Sequence, residues 1–182
     1  MNKLPNWLTV IRILFVPVFL VIYYLRELIP GWNYYASAVF IVACLTDILD
    51  GAIARKYNCV SNFGKLMDPM ADKLLVLAAL IVLLDWGKIS TIVVIILLAR
   101  EFIISAFRLI AAEKGVVIAA GWSGKIKTLT QDIGAALILL GNPLFSLINV
   151  PAGEIILYIS VVFSIISCVE YILKNKKVIS DL

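Results

Sequence analysis

The sequence predicts an all-α integral membrane bundle of six transmembrane helices, folded as one domain over residues 1–182. Three observations predict it. Of the 182 residues 63% are hydrophobic and 15% charged, where soluble domains run at about half apolar and a quarter charged; the mean hydropathy is +1.04. Six windows each hold the roughly 20 mostly apolar residues that a membrane crossing needs. The stretches between them carry turn signals, and no internal repeat or low-complexity linker divides the chain.

The first window, Leu8–Leu25, ends in Tyr23-Tyr24-Leu25-Arg26, a helix end suited to an interface. No small-residue cleavage site follows it, so it reads as a retained helix and not a signal peptide. Pro30-Gly31 turns the chain into the second window, Tyr34–Lys56. Asn58 to Asn62 leads to the third, Gly64–Leu84, where Pro69 falls early enough in the helix to be tolerated. Asp85-Trp86-Gly87 precedes Ile89–Glu113, Gly115 precedes Trp122–Leu140, and Gly141-Asn142-Pro143 precedes Gly153–Leu173.

An even number of spans puts both termini on one side. That side holds Lys3, Arg12, Arg55, Lys56, Lys65, Lys114, Lys125, Lys127, Lys174, Lys176 and Lys177, against Arg26 and Lys88 on the other. The bias makes both termini cytoplasmic. Trp7, Tyr57, Trp122 and Tyr171 mark that interface, and Tyr23, Trp32 and Trp86 the opposite one. The net charge of +4 is spread thinly between apolar runs, which suits anionic headgroups and excludes a nucleic-acid surface. There is no histidine, so a Ser-His-Asp triad, a His-ligated metal and a histidine pH switch are excluded. Cys44, Cys59 and Cys168 form no CxxC pair, so no disulfide framework or zinc site is expected.

Acids inside membrane spans are costly and mark function by default. The second window carries Asp47 and Asp50 and the third Asp68 and Asp72. At 100° per residue the members of each pair lie about 60° and about 40° apart, so each pair points one way. A short loop makes the two helices antiparallel neighbours, and all four carboxylates converge. Asp50 and Asp68 lie about 6–10 Å inside the cytoplasmic helix ends, at headgroup depth. Four such carboxylates would repel one another, and divalent cations relieve this. All-oxygen ligation favours Mg²⁺ or Mn²⁺ over Zn²⁺, and a pair of such ions suits phosphoryl chemistry. Gly51, Ala54 and Gly64 clear a surface between the acids for a large ligand. A divalent-cation carrier is the rival from another class, but it would hold its acids near mid-bilayer and has no use for Arg55.

Arg100 and Arg108, two turns apart, share a helix face about 80° wide. With Lys125 and Lys127 they read as a patch for an anionic acceptor, since a guanidinium suits a phosphate monoester. The alternative is that the arginines balance the aspartates or Glu101, or bind anionic lipid. The tail Lys174, Lys176 and Lys177 reads as a positive-inside anchor.

As one string, Asp47 to Asp72 is D-x2-D-G-x2-A-R-x8-G-x3-D-x3-D. This resembles the signature of the CDP-alcohol phosphotransferase family at every fixed position: Asp47, Asp50, Gly51, Ala54, Arg55, Gly64, Asp68 and Asp72. Leu4-Pro5-Asn6-Trp7-Leu8-Thr9 with Arg12, Ala99-Arg100-Glu101-Phe102 with Arg108, and Gly124-Lys125-Ile126-Lys127-Thr128 with Gln131 are similar to one bacterial branch, the phosphatidylglycerophosphate synthases. The resemblance implies a six-helix membrane fold and attack of an acceptor alcohol on the β-phosphorus of CDP-diacylglycerol, with CMP leaving. It implies Asp47, Asp50, Asp68 and Asp72 as ligands of two Mg²⁺ or Mn²⁺ ions, with Asp72 chiefly the general base. Gly51, Ala54, Arg55 and Gly64 would line the nucleotide, joined by Asn6 and Thr9. Glycerol 3-phosphate is the expected acceptor, with inositol phosphate, serine or phosphatidylglycerol as alternatives. A homodimer in the bacterial plasma membrane, with a cytoplasmic active site, completes the expectation.

Overall fold

The computed structural model describes residues 4–57, 62–113, 121–143 and 150–175, and among these the side chains of all but residues 4–10, 47–57, 62–72 and 112–113. Six helices and no strand occur among the described residues: α1 (Leu4–Tyr24), α2 (Trp32–Tyr57), α3 (Asn62–Asp85), α4 (Thr91–Glu113), α5 (Trp122–Leu139) and α6 (Ala152–Lys174). Each falls on one apolar window. The largest difference is at α1, which starts at Leu4 instead of Leu8. Pro5 explains it, because a proline in the first turn gives up only an N–H that has no partner inside the helix.

Turn chemistry ends the helices where the sequence placed its glycines. Gly87 has φ +72°, with Gly87 N–H donating to the Leu84 carbonyl at 2.9 Å and Lys88 N–H to that of Leu83 at 2.9 Å. Gly141 repeats the arrangement at the end of α5, with φ +78° and Asn142 N–H donating to the Leu137 carbonyl at 2.8 Å. Both are Schellman closures, which need a residue free to take positive φ.

Helix α1 packs on α2 and α3, α4 packs on α6, and α5 lies along α6 while also touching α2 and α3. The core runs through these seams with Phe19 of α1, Phe40 of α2, Leu80 and Leu83 of α3, Leu97 of α4, Leu139 of α5 and Leu157 of α6. The α5–α6 seam is the tightest. A Cβ on Gly134 would stand 2.8 Å from the Leu157 backbone nitrogen, and one on Gly153 would stand 2.8 Å from that of Ile138. Small residues that let two backbones approach are the usual device of helix association in lipid. Buried Ser160, Ser164 and Ser167 continue the seam down α6, and Ser160 and Ser167 turn their hydroxyls onto carbonyls of their own helix.

The outer surface is apolar. Leu14, Val18 and Val21 of α1, Ile92, Ile95 and Phe102 of α4, and Val162, Ile165 and Val169 of α6 are all exposed. An apolar surface of this extent marks an interaction with membrane or protein. Among the described residues one helix, Ala152–Lys174, is long and apolar enough to cross a membrane; Ile11–Tyr24 and Trp32–Thr46 are shorter apolar stretches. Charges break up two of the other windows: Arg100, Glu101 and Arg108 in α4, and Lys125, Lys127 and Asp132 in α5.

Candidate active site

The backbone carries Asp47 and Asp50 in the second half of α2, and Asp68 and Asp72 in the first half of α3. The two helices touch. The side chains of these four aspartates, and of Asn6, Thr9, Gly51, Ala54, Arg55 and Gly64, lie outside the described residues. The first described side chain after them on α3 is that of Lys73, directly following Asp72, and it reaches α4.

Across from α3, the charges of α4 and α5 meet around one carboxylate. Glu101 Oε1 accepts from Lys127 Nζ at 2.5 Å and from Arg100 Nη1 at 2.9 Å. Its Oε2 lies 3.8 Å from Lys73 Nζ, which also hydrogen-bonds the Ser105 hydroxyl. The Lys127 side chain is 3% exposed, Arg100 12% and Glu101 24%, so this network sits inside the helix packing. A buried cation needs such a partner, because desolvation without one costs several kcal/mol.

Arg100 opens onto a cleft of about 310 Å³ between α4, α5 and α6, lined in part by Arg108, Ser123, Ser167, Glu170 and Lys174. The Arg100 guanidinium is fixed on a further side by Nε donating to Ser167 Oγ at 3.2 Å. Its Nη2 lies 3.0 Å from where a Cβ on Gly124 would stand, so the glycine leaves the guanidinium room beside α5. Arg108 lies over the Tyr171 ring at 5.9 Å, and Tyr171 meets Phe107 edge-on at 6.0 Å. Arg108 has no ion pair among the described residues. On the facing wall Ser123 Oγ donates to Glu170 Oε2 at 2.6 Å, and Lys174 Nζ donates to Glu170 Oε1 at 2.5 Å.

Of the four basic residues expected to hold an acceptor, the structure brings Arg100 and Arg108 to one cleft. Lys127 is buried behind it on Glu101, and Lys125 is exposed, 5.3 Å over the Trp122 ring. Lys174, read from the sequence as an anchor, lines the cleft. Lys73 and Glu170 escaped the sequence reading altogether. The available signal was weak: single charges in apolar runs, whose partners are far along the chain.

A family model of CDP-alcohol phosphatidyltransferases matches residues 2–166. The chain belongs to this family. The CDP-alcohol phosphatidyltransferases are membrane-associated and generally depend on divalent metal. Its similar relatives include the CDP-diacylglycerol–glycerol-3-phosphate 3-phosphatidyltransferase of Bacillus subtilis, 40% identical with 96% of each chain covered. The enzyme of the same name from Rickettsia typhi is 37% identical over 94% of this chain and 96% of its own. A probable phosphatidylglycerophosphate synthase of Mycobacterium tuberculosis is 36% identical over 93% of this chain and 80% of its own.

The donor set suits the family's metal. Four carboxylates on two touching helices, in a chain without histidine, offer hard oxygen ligands only. Among the described residues no group of three or more His, Cys, Asp or Glu could hold an ion, so that part of the molecule offers no competing site.

Proposed function

We propose that this CDP-alcohol phosphatidyltransferase moves the phosphatidyl group of CDP-diacylglycerol onto glycerol 3-phosphate, giving phosphatidylglycerophosphate and CMP. The observation that carries the reading is the 40% identity to the Bacillus subtilis enzyme over 96% of both chains. The basic cleft of α4 and α6 supports the same acceptor, because Arg100 and Arg108 are the planar donors that a phosphate monoester accepts from.

Asp47, Asp50, Asp68 and Asp72 would hold two divalent cations, Mg²⁺ or Mn²⁺. Held there, such ions would supply positive charge to offset the diphosphate and the charge developing on departing CMP. The chain's own residues do the rest. Gly51, Ala54, Arg55 and Gly64, with Asn6 and Thr9, line the nucleotide. Arg100, Arg108, Lys125 and Lys127 attract and orient the acceptor's phosphate, Lys127 adding its charge from behind Arg100. Asp72 takes the proton of the attacking hydroxyl. A carboxylate does this at neutral pH when a desolvated, acid-rich site raises its basicity.

The arrangement fits one catalytic domain whose six helices all cross the bacterial plasma membrane, with the site on the cytoplasmic face. Acyl chains then stay in lipid while nucleotide and acceptor arrive from water. The exposed apolar belt supports that placement and leaves a face on which two copies could pair as a homodimer.

The test is CMP release by the purified chain with CDP-diacylglycerol, Mg²⁺ and a panel of acceptors. Release with glycerol 3-phosphate is expected. Release with inositol phosphate, serine or phosphatidylglycerol alone would replace the acceptor; no release with any of them would overturn the transferase.

A further inference from the structure

Glu101 stands where three helices meet, and its two oxygens serve different neighbours. Oε1 takes Lys127 of α5 and Arg100 of its own helix. Oε2 faces Lys73 of α3, whose ammonium also binds Ser105 one turn along α4. A carboxylate is an odd choice beside a site meant for an anion. Its use becomes clear from the charges it separates. Three cations gathered without it would repel one another; with it they stand together, Lys127 also feeling the charge of Asp132.

The carboxylate also fixes direction. Arg100 is gripped by Glu101 at Nη1 and by Ser167 at Nε, and the missing side chain of Gly124 leaves room for Nη2. Two hydrogen bonds hold the guanidinium plane and turn its remaining edge toward the cleft. Lys127, 3% exposed, donates to the same carboxylate. Lys73 follows Asp72 directly on α3, so the same carboxylate links the basic cleft to the helix that bears the general base.

We infer that Glu101 is a positioning residue. It sets Arg100 and Lys127 for the acceptor's phosphate and, through Lys73, holds that patch in register with the Asp72 segment of α3. The inference rests on the acceptor reading proposed above.

The experiment is steady-state CMP release by the purified full-length chain, with each substrate varied in turn. In Glu101→Gln the apparent KM for glycerol 3-phosphate rises about tenfold, the size expected for losing a charge-assisted bond, while that for CDP-diacylglycerol stays within about twofold. Glu101→Asp keeps the charge on a shorter arm and recovers part of the acceptor KM. A purely structural role would lower the amount of folded enzyme and leave both KM values alone. Should Glu101→Gln fail to fold around an unpaired Lys127, Lys73→Met carries the test. That side chain is 47% exposed, and its loss raises the acceptor KM about threefold without disturbing the CDP-lipid KM. Equal changes for both substrates, or none, in a folded variant overturn the positioning role alone. A wild-type chain that releases no CMP with glycerol 3-phosphate overturns the functional reading and this inference together.

Discussion

Where α1 ends and α2 begins, Tyr23 meets Trp32 edge-on at 5.3 Å, and Trp32 meets Trp86 at 4.8 Å. Tyr23 donates to Asp85 at 2.5 Å and carries Arg26 over its ring at 4.4 Å. Where α4 ends and α5 begins there is an open cleft instead, edged by arginines and backed by Lys127 and Glu101. Both regions join several helices. The first does so with aromatic area and exposed charges, which are cheap to keep. The second buries its charges and leaves cations in surplus, which packing alone would never select. On the proposed reading the aromatic end serves stability and the basic one acceptor binding, and substitutions should separate them.

The sharpest separation is Asp72→Asn. The amide keeps the size of the side chain and removes the base, so CMP release should fall by about 10²–10⁴-fold, the range for loss of a general base. CDP-lipid binding, followed by retention of a labelled nucleotide lipid, should largely persist. Near-normal turnover would take the base role from Asp72.

Next in size is a change in the α5–α6 seam. In Gly134→Ala the new Cβ would meet the Leu157 nitrogen at 2.8 Å and the Gly153 carbonyl oxygen at 3.0 Å. Neither is a flexible tip, so α5 and α6 must part, at a cost of about 2 kcal/mol. A lowered midpoint of thermal unfolding in detergent is expected. An unchanged midpoint would mean that the seam is looser than its geometry.

These expectations differ in how far the sequence foretold them. All six helices were legible because each is an apolar run closed by turn residues; Gly87 and Gly141 end helices for local reasons that a local reading captures. The spacing of the acids on α2 and α3 was legible for the same reason. The partners of Glu101 were not. Lys73 and Lys127 lie 28 residues before it and 26 after it, and no periodicity within one helix reports which face of another it meets. The basic residues illustrate both halves: the arginines' common face followed from spacing, and balance against Glu101 was the alternative reading that Arg100 meets, whereas Lys73 and Lys127 as further partners of that carboxylate needed the fold.

Arg108→Ala tests the basic end without touching a buried charge, since Arg108 is exposed over Tyr171. Loss of one guanidinium–phosphate contact should raise the apparent KM for glycerol 3-phosphate about tenfold, and that for CDP-diacylglycerol by much less. Equal effects on the two substrates would move Arg108 from acceptor recognition to general electrostatics.

The smallest effect belongs to the aromatic end. Tyr23→Phe removes the hydroxyl that Asp85 accepts from, but keeps the ring that Trp32 and Arg26 pack on. Asp85 is not stranded, because Arg26 lies 3.9 Å away and 62% of its side chain is exposed to solvent. The cost is therefore that of one hydrogen bond with a surviving, hydrated acceptor, about 1 kcal/mol. The unfolding midpoint should fall slightly, and both KM values should match the wild type. A shift in either KM would show that the two regions are mechanically coupled, through α3, which carries Lys73 toward Glu101 and ends at Asp85.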